Sequence, residues 1–376
     1  MTTNLKRIAL IGPMPPYRGG ITRFTVSLAE KLVEAGHDVL VISFKSQYPK
    51  LLYPGKNEKD FSQPTSKANT LFIFSPLKKM DWKTTFDHIQ AYQPDFIIYQ
   101  WWTTFWAPAT AWLLRKIKQT GIKTKVLVHN AFPHESTWLD KKLASWALKD
   151  AQTFVTMTEA QADRLRSAVH HQVEIQTAPH PIYSQFPASG LSKPEVRRKL
   201  RLPMDVPIAL FFGFVRPYKG LGILLEAMAT LNRNGSNLHL VVAGEFWDDQ
   251  DRYEKQIVDL GIKEIVTIRA DYIPDSEAGL YFEAADLFVA PYTGGTQSGS
   301  IKVAMSYQLP LVITDGITDP LILTYPFGYC VAKSGDPQVL TKKIAEILLN
   351  RFDAEMNDRA FLQDSWQSLL DVIIQL

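Results

Sequence analysis

Cysteine is almost missing from this chain, which has one such residue, Cys330, among 376. A single thiol excludes an internal disulfide framework and any zinc site built on cysteines, and it is typical of a reducing compartment. Apolar runs near the roughly 20 residues that span a bilayer are also missing. The first residues lead directly into an apolar segment without a signal-peptide pattern. These absences predict a cytoplasmic protein, whose contact with a membrane would be peripheral and at its inner face.

Charge of one sign is not in excess either. The chain carries 41 Lys and Arg against 38 Asp and Glu, and no basic run is long enough to act as a nucleic-acid arm. Nucleic acid is therefore not an expected partner. The 46% of hydrophobic residues is typical of a globular protein with a sizeable core. At roughly 150 residues per domain, the length favours two domains.

Short apolar segments alternate with amphipathic ones along the chain, which is typical of parallel sheets with helices on both faces. The alternation predicts strands at about residues 6–12, 38–44, 70–75, 95–100, 124–129, 153–157 and 173–177, and again at 208–215, 238–244, 265–269, 287–291, 310–314 and 328–332. A segment with four prolines, residues 177–195, separates the two series.

We therefore expect an α/β protein with two doubly wound domains, residues 1–183 and 184–353. Such pairs bind ligands in the cleft between the carboxyl ends of their strands. The pattern of residues 354–376 predicts a last helix, which we expect to pack back on the first domain.

The turn within PYTGGTQSGSIKVAM, residues 291–305, is small, polar and uncharged. Acidic residues are missing between Asp286 and Asp315, which disfavours a metal or a cationic ligand here. Backbone amides at a helix N-terminus suit a phosphate or a sugar hydroxyl. The alternative is an ordinary connecting loop, since Gly and Ser are common in loops.

Two other turns bring glycine to the carboxyl end of a predicted strand. In PYRGGITRF, Gly19 and Gly20 open the first helix, where they let the backbone approach a ligand. In FFGFVRPYKG, Gly213 ends a buried strand, and Arg216 and Lys219 precede the next helix. Two fixed cations beside a helix N-terminus predict a diphosphate site. The alternatives are a structural turn in the first case and a solvated basic turn in the second.

His129 is placed by KVLVHNAFPHE at the carboxyl end of a buried strand, where doubly wound folds hold their active groups. A lone histidine is more often structural, and His134 could share or replace its role.

The segment YQWWTTFWAPATAWLLRKIKQ, residues 99–119, combines aromatic residues with a short basic tail. Exposed aromatic side chains beside cations suit a membrane surface or a lipid-bearing acceptor. Such a contact would be made by Trp101, Trp102 and Trp106. Alternatively, the same side chains fill the core of the domain.

In their order and spacing, these motifs resemble the retaining glycosyltransferases of family 4, the glycosyl transferases group 1, over nearly the whole chain. The segments that carry the resemblance are PYRGGITRF, HNAFPHE, FGFVRPYKG, VVAGEF and ADLFVAPYTGGTQSGSIKVAMSYQLPLVITD. The resemblance implies the GT-B fold, two facing Rossmann-like domains with an interdomain cleft. It also implies transfer of a sugar from a nucleotide diphosphate sugar to a hydroxyl of a glycan or lipid-linked saccharide, with retention of configuration.

The resemblance also implies roles for individual residues. His129 would lie close to the transferred sugar, and Arg216 and Lys219 would neutralise the departing diphosphate. The donor-binding residues would be Gly19, Gly20, Gly213, Glu245, Tyr272, Ile273, Thr296, Gln297, Ser298, Gly299 and Ser300. The family needs neither a metal nor another cofactor for this chemistry, and none is expected here.

One departure from the family pattern concerns its two glutamates, which are separated by seven residues. Their positions are occupied here by Gly295 and Val303, neither of which replaces a carboxylate. The chain is similar to the branch whose loop reads TQSG, with Gln297 and Ser298 as substitutes. Two rival hypotheses follow from the missing glutamates: a non-catalytic sugar-nucleotide-binding protein derived from a transferase, and a GT-B sugar-nucleotide epimerase.

Overall fold

The structure, a computed structural model, describes residues 5–47, 57–62, 66–132, 137–169, 173–183, 186–294, 298–317, 319–349 and 359–375. The chain divides into two compact units. Unit 1 comprises Met1–His180 and Gln363–Leu376, and unit 2 comprises Pro181–Leu362. Among the helices within these ranges, none is long and apolar enough to cross a membrane.

Unit 1 is built on a parallel sheet of seven strands in the order β3-β2-β1-β4-β5-β6-β7. The strands are β1 (Arg7–Ile11), β2 (Asp38–Phe44), β3 (Asn69–Phe74), β4 (Phe96–Trp101), β5 (Lys123–Val128), β6 (Thr153–Thr156) and β7 (Glu174–Thr177). The helices that connect them are α1 (Gly20–Glu34), α2 (Lys79–Tyr92), α3 (Ala107–Thr120), α4 (Trp138–Leu148) and α5 (Glu159–Arg166).

Unit 2 repeats this plan with six parallel strands in the order β10-β9-β8-β11-β12-β13. The strands are β8 (Ile208–Phe212), β9 (His239–Ala243), β10 (Val266–Arg269), β11 (Leu287–Ala290), β12 (Leu311–Thr314) and β13 (Tyr329–Ala332). The helices are α6 (Lys193–Leu200), α7 (Leu221–Arg233), α8 (Gln250–Asp259), α9 (Asp275–Ala284), α10 (Gly299–Ser306), α11 (Pro320–Leu323) and α12 (Pro337–Leu349).

The last helix, α13 (Arg359–Ile374), packs on unit 1. Its apolar residues Trp366, Leu369 and Ile373 follow the spacing of one helical face and are buried. The ring of Trp366 lies 5.6 Å from that of Phe24 on α1, measured between centroids. Lys125, the third residue of β5, donates a hydrogen bond of 2.6 Å to the carbonyl of Val372.

The central strands of both sheets carry apolar residues on both faces, as expected for sheets that are covered by helices on both sides. All six residues of β4 are buried, as are all four of β11, because helices cover both sides of a parallel sheet. This arrangement confirms the predicted fold class of two α/β domains with parallel sheets, and every predicted strand is present. In each sheet the strand order reverses once, between β1 and β4 in unit 1 and between β8 and β11 in unit 2. Ligands bind at the carboxyl ends of strands beside such reversals.

Candidate functional site

The strand-order reversal of unit 2 is flanked by two turns that touch each other. One turn follows β8 and contains a short 3₁₀ helix at Pro217–Lys219, and the other follows β11. The amide of Thr293 in the second turn donates a hydrogen bond of 2.7 Å to the carbonyl of Tyr218 in the first. The predicted basic turn and the predicted polar loop are therefore neighbours at the carboxyl edge of one sheet.

The side chain of Lys219 reaches the end of β8. A Cβ atom added to Gly213 would lie only 3.2 Å from Nζ of Lys219, and Gly213 has a backbone φ of +102°, which favours glycine. Nζ of Lys219 is also 5.6 Å from the ring centroid of Tyr292, which follows β11. The glycine thus lets the ammonium group lie between the two strand ends.

Arg216 is held by an aromatic stack. Its guanidinium carbon lies 4.5 Å from the ring centroid of Trp247, a favourable cation–π distance. Trp247 stacks on Phe214 at 4.2 Å, and Phe214 stacks on Tyr272 at 6.5 Å. The amide of Trp247 donates a hydrogen bond of 2.9 Å to the carbonyl of Val215. Because the loops after β8, β9 and β10 all contribute rings, this stack fixes one flank of the basic turn.

Three hydroxyl groups meet at the N-terminus of α10. Oη of Tyr292 lies 3.1 Å from Oγ of Ser298 and 3.2 Å from Oγ of Ser300, and the two Oγ atoms are 2.9 Å apart. Ser298 is the N-cap residue, with extended backbone angles. Gly299 faces Tyr183, whose ring would lie 3.1 Å from an added Cβ atom. Tyr292 therefore joins the hydroxyl cluster to Lys219, and together they present donors and a cation at a helix N-terminus.

A buried ion pair lies one turn further along α10. Nζ of Lys302 is 2.6 Å from Oδ2 of Asp319, and the two side chains are 0% and 2% exposed. Burial lowers the pKa of Lys302, and the adjacent Asp319 carboxylate opposes that shift. Asp319 also accepts a hydrogen bond from the amide of Leu321 at the start of α11. The pair ties the first turn of α10 to α11.

The remaining donor-binding predictions of unit 2 lie around this edge. Glu245, two residues after the end of β9, is buried, and its carbonyl accepts a hydrogen bond of 2.9 Å from the amide of Val215. Tyr272 and Ile273 are half-buried in the turn between β10 and α9. Thr296 and Gln297 lie outside the residues that the structure describes, so their predicted roles stay predictions.

His129 in unit 1 belongs to a hydrogen-bonded network at the carboxyl ends of β1, β4 and β5. Its Nε2 lies 2.8 Å from Oε1 of Gln100, and Nε2 of Gln100 donates a hydrogen bond of 2.9 Å to Oγ1 of Thr25. Glycine at position 12 leaves room for the Gln100 amide in this position, since a Cβ atom added to Gly12 would lie 2.2 Å from its amide nitrogen. An amide oxygen only accepts hydrogen bonds, so His129 donates this hydrogen bond to Gln100 in its Nε2–H tautomer.

His129 is neutral in the folded protein. Burial, assisted by the neighbouring His180, lowers the pKa of His129 to about 3. The edge of its ring packs against Phe24, with 4.8 Å between ring centroids. A neutral imidazole donates or accepts hydrogen bonds but does not act as a general acid near pH 7.

The lowered pKa of His129 predicts a loss of stability in acid. An unfolded histidine takes up a proton below about pH 6.5 while the folded one stays neutral, so the unfolded state binds more protons as pH falls. The stability difference between the wild type and His129→Asn should therefore shrink by up to about 1.4 kcal/mol per pH unit below pH 6.5. Urea unfolding of both proteins between about pH 5 and 7 measures this difference. Parallel stability curves would contradict a neutral, buried His129.

Gly19 and Gly20 stand where the sequence predicts them, at the start of α1. Gly19 is the N-cap residue and has a φ of +114°, which a residue with a side chain rarely adopts. A Cβ atom added to Gly20 would meet no atom within 4 Å. The turn requires glycine at position 19 for its conformation, whereas position 20 faces open space.

The sequence suggested a membrane contact through Trp101, Trp102 and Trp106, and this prediction is wrong for Trp101 and Trp106. Trp101 and Trp106 are 1% and 2% exposed. Nε1 of Trp101 donates a hydrogen bond of 2.9 Å to the carbonyl of Ala131, and the Trp106 ring lies 4.4 Å from that of Phe44. Trp102 is half-buried against the same core. The sequence pattern alone does not distinguish buried tryptophan rings from exposed ones at these positions.

Several residues of the candidate site were not expected from the sequence: Gln100, Trp247, Tyr292 and the Lys302–Asp319 pair. Gln100 carried a usable signal, because it is a polar residue at the end of the apolar strand FIIYQW. Trp247 lies in a loop whose direction no local pattern specifies. Among the residues that the structure describes, no group of three or more His, Cys, Asp or Glu side chains could hold a metal ion.

Models of known protein families match this chain. The family model described as "Glycosyl transferases group 1" matches residues 192–361, and the model described as "Glycosyltransferase Family 4" matches residues 18–201. The chain is similar to D-inositol 3-phosphate glycosyltransferase 1 of Catenulispora acidiphila, with 32% identity over 155 residues, which cover 38% of this chain and 35% of that protein.

A second relative is the GDP-mannose:glycolipid 4-beta-D-mannosyltransferase of Xanthomonas campestris pv. campestris, with 25% identity over 54% of this chain and 53% of that protein. The chain thus matches about half or less of the length of these relatives. Among solved structures, sucrose-phosphate synthase from Thermosynechococcus elongatus superposes with a TM-score of 0.68 at 17% identity, over 98% of this chain and 99% of that one. This likeness concerns the fold alone.

The two family models overlap at residues 192–201 and together extend from residue 18 to residue 361, across both units. Their match agrees with the two parallel-sheet units. The chain belongs to the group 1 glycosyltransferases, which have the GT-B fold.

Proposed function

We propose that this protein transfers a sugar from a nucleotide diphosphate sugar to a hydroxyl group of a saccharide or lipid-linked acceptor, with retention of anomeric configuration. The relatives named above support sugar transfer, and one of them is named for a glycolipid acceptor. They favour neither a non-catalytic binding protein nor an epimerase. The nucleobase, the sugar and the acceptor of this chain are not specified by those names.

The observation that carries the proposal is the arrangement around Tyr292. Its ring faces the ammonium group of Lys219, and its hydroxyl contacts Ser298 and Ser300 at the N-terminus of α10. A cation, hydroxyl donors and helix amides form a site for phosphate oxygens. Arg216, held on Trp247, supplies the second cation for a diphosphate.

In the proposed reaction, the bond between the anomeric carbon and the diphosphate oxygen breaks while the acceptor oxygen bonds to that carbon from the same face. The acceptor proton passes to an oxygen of the departing diphosphate. Negative charge builds up on the diphosphate in the transition state, so fixed positive charge at Arg216 and Lys219 lowers the barrier. His129, because it is neutral, would contact the sugar as a hydrogen-bonding group and not as an acid.

We also propose that the cationic turn, and not a divalent metal ion, neutralises the diphosphate. Arg216 and Lys219 together offer two positive charges to the group that carries the developing negative charge. Turnover should accordingly persist after treatment with a chelator.

The experiment that tests this function is incubation of the purified protein with a panel of nucleotide sugars and saccharide acceptors, with and without EDTA. We expect one donor class to yield free nucleoside diphosphate and a new glycoside in equal amounts. Proton NMR of the glycoside should show the same anomeric configuration as the donor. An inverted product would contradict retention. Donor binding without product would favour the non-catalytic protein, and a changed free sugar nucleotide would favour the epimerase.

A further inference from the structure

Helix α4 of unit 1 exposes large apolar side chains to solvent. Trp138 is 69% exposed, Leu139 is 51% exposed and Trp146 is 44% exposed. Tryptophan normally buries most of its large surface, so two exposed indoles on one eleven-residue helix need an explanation.

These side chains share one face of the helix with two lysines. Trp138, Lys142, Trp146 and Lys149 follow the spacing i, i+4, i+8, i+11, which brings them onto one side, with Leu139 at its margin. We name this set of five residues the α4 face. The opposite side, with Ala144, Ala147 and Leu148, is buried against the core of unit 1.

The charge on the α4 face is positive. Nζ of Lys142 lies 4.6 Å from the ring centroid of Trp138, so cation and indole are presented together. The acidic residue within α4, Asp140, is directed elsewhere, because its carboxylate accepts hydrogen bonds from Thr104 (2.6 Å) and from the amide of Thr137 (2.9 Å). The α4 face itself contains no acidic side chain.

This combination matches a lipid surface better than a protein partner. The buried centres of protein interfaces are rich in aromatic residues but depleted in lysine, whereas indole rings and lysines occur together where a helix lies in the headgroup region of a bilayer. Each lysine gains attraction from anionic lipid, and its long aliphatic stem can lie along the apolar boundary.

We propose that the α4 face docks unit 1 onto a membrane surface that contains anionic lipids. The inference rests on the exposure and charge of this helix and does not depend on the identity of the donor or on the reaction. The proposed membrane contact is made by Trp138 and Trp146, and not by Trp101 and Trp106, which are buried. Combined with the proposed function, it would bring the enzyme to the surface that carries a lipid-linked acceptor.

The test is flotation of the full chain with vesicles of phosphatidylcholine alone and of phosphatidylcholine with about one-third phosphatidylglycerol. We expect the wild type to float with the anionic vesicles and to be released as salt is added. Lys142→Gln with Lys149→Gln should weaken partitioning by about fivefold for each lysine. Trp138→Ser with Trp146→Ser should weaken it by at least about tenfold.

A matched control is Lys255→Gln with Val258→Ser, which removes an exposed cation and an exposed apolar side chain from α8 in unit 2. The control should float like the wild type. All variants change exposed side chains, so equal melting temperatures and equal nucleotide binding will show that they are folded.

Two results would overturn the proposal. One is flotation of the tryptophan and lysine variants at the wild-type level. The other is absence of wild-type flotation with the anionic vesicles. In that case, a dimer in analytical ultracentrifugation that the tryptophan variant dissociates would assign the α4 face to a second copy of the chain. Neither result bears on sugar transfer, so failure here is distinguishable from failure of the proposed function.

Discussion

Lys219→Ala is expected to lower kcat by a few hundredfold or more, and Arg216→Ala should have a similar effect. Each removes one fixed positive charge from the place where the diphosphate becomes more negative in the transition state. Loss of one such group typically costs about 3–4 kcal/mol in activation free energy. Steady-state rates of nucleoside diphosphate release, measured with the donor that the panel identifies, will show the change.

The matched control for this prediction is Arg233→Ala, which also removes one arginine from unit 2. Arg233 is exposed, and its guanidinium donates a hydrogen bond of 3.1 Å to Oγ1 of Thr230 within the same helix. It is the last residue of α7, the helix that begins at the basic turn, so it lies far along that helix from the strand ends and should keep near-normal turnover. If Lys219→Ala and Arg216→Ala are as active as this control, the basic turn is not the diphosphate site.

The second large effect concerns Gly220, which ends the basic turn and begins α7. Gly220→Ala should destabilise the protein by at least about 3 kcal/mol. The residue has a φ of +72°, and an added Cβ atom would lie 2.0 Å from the carbonyl oxygen of Pro291, a backbone atom that cannot rotate away. Accommodating the methyl group would force apart the turns after β8 and β11.

The control for Gly220 is Gly235→Ala. Gly235 has a similar φ of +82°, but an added Cβ atom would meet nothing within 4 Å. It therefore measures the backbone strain alone, about 1 kcal/mol. Urea unfolding of both variants separates strain from the collision. Equal losses in the two variants would show that the two strand-end turns are not packed as closely as described.

Local sequence pattern was sufficient to predict both sheets, because central strands such as β4 and β11 are mostly apolar and crossover helices such as α1 and α7 have a periodic apolar face. The neighbouring positions of the turn at Lys219 and the loop at Ser298 also followed, since the carboxyl ends of parallel strands meet at one edge. These inferences need only the period of the pattern and the topology of the fold.

Contacts between distant loops could not be predicted in the same way. Arg216 packs on Trp247, and Lys302 pairs with Asp319, through loop conformations that local pattern does not specify. The tryptophans show the same limit, because Trp101 and Trp138 are equally apolar. Trp101 ends the buried strand β4 and is 1% exposed, whereas Trp138 begins α4 and is 69% exposed. Burial depends on which neighbour covers a residue.

Calorimetric titration with nucleosides, nucleoside monophosphates and nucleoside diphosphates will show whether the basic turn of unit 2 forms a diphosphate site. We predict that one diphosphate binds the wild type about tenfold or more tightly than its monophosphate, because charge-assisted hydrogen bonds form to the second phosphate. The double variant Arg216→Ala/Lys219→Ala should lose this preference, and Arg233→Ala should keep it. A wild type that binds none of these nucleotides, or a double variant that keeps the preference for the diphosphate, would show that the basic turn is not a diphosphate site.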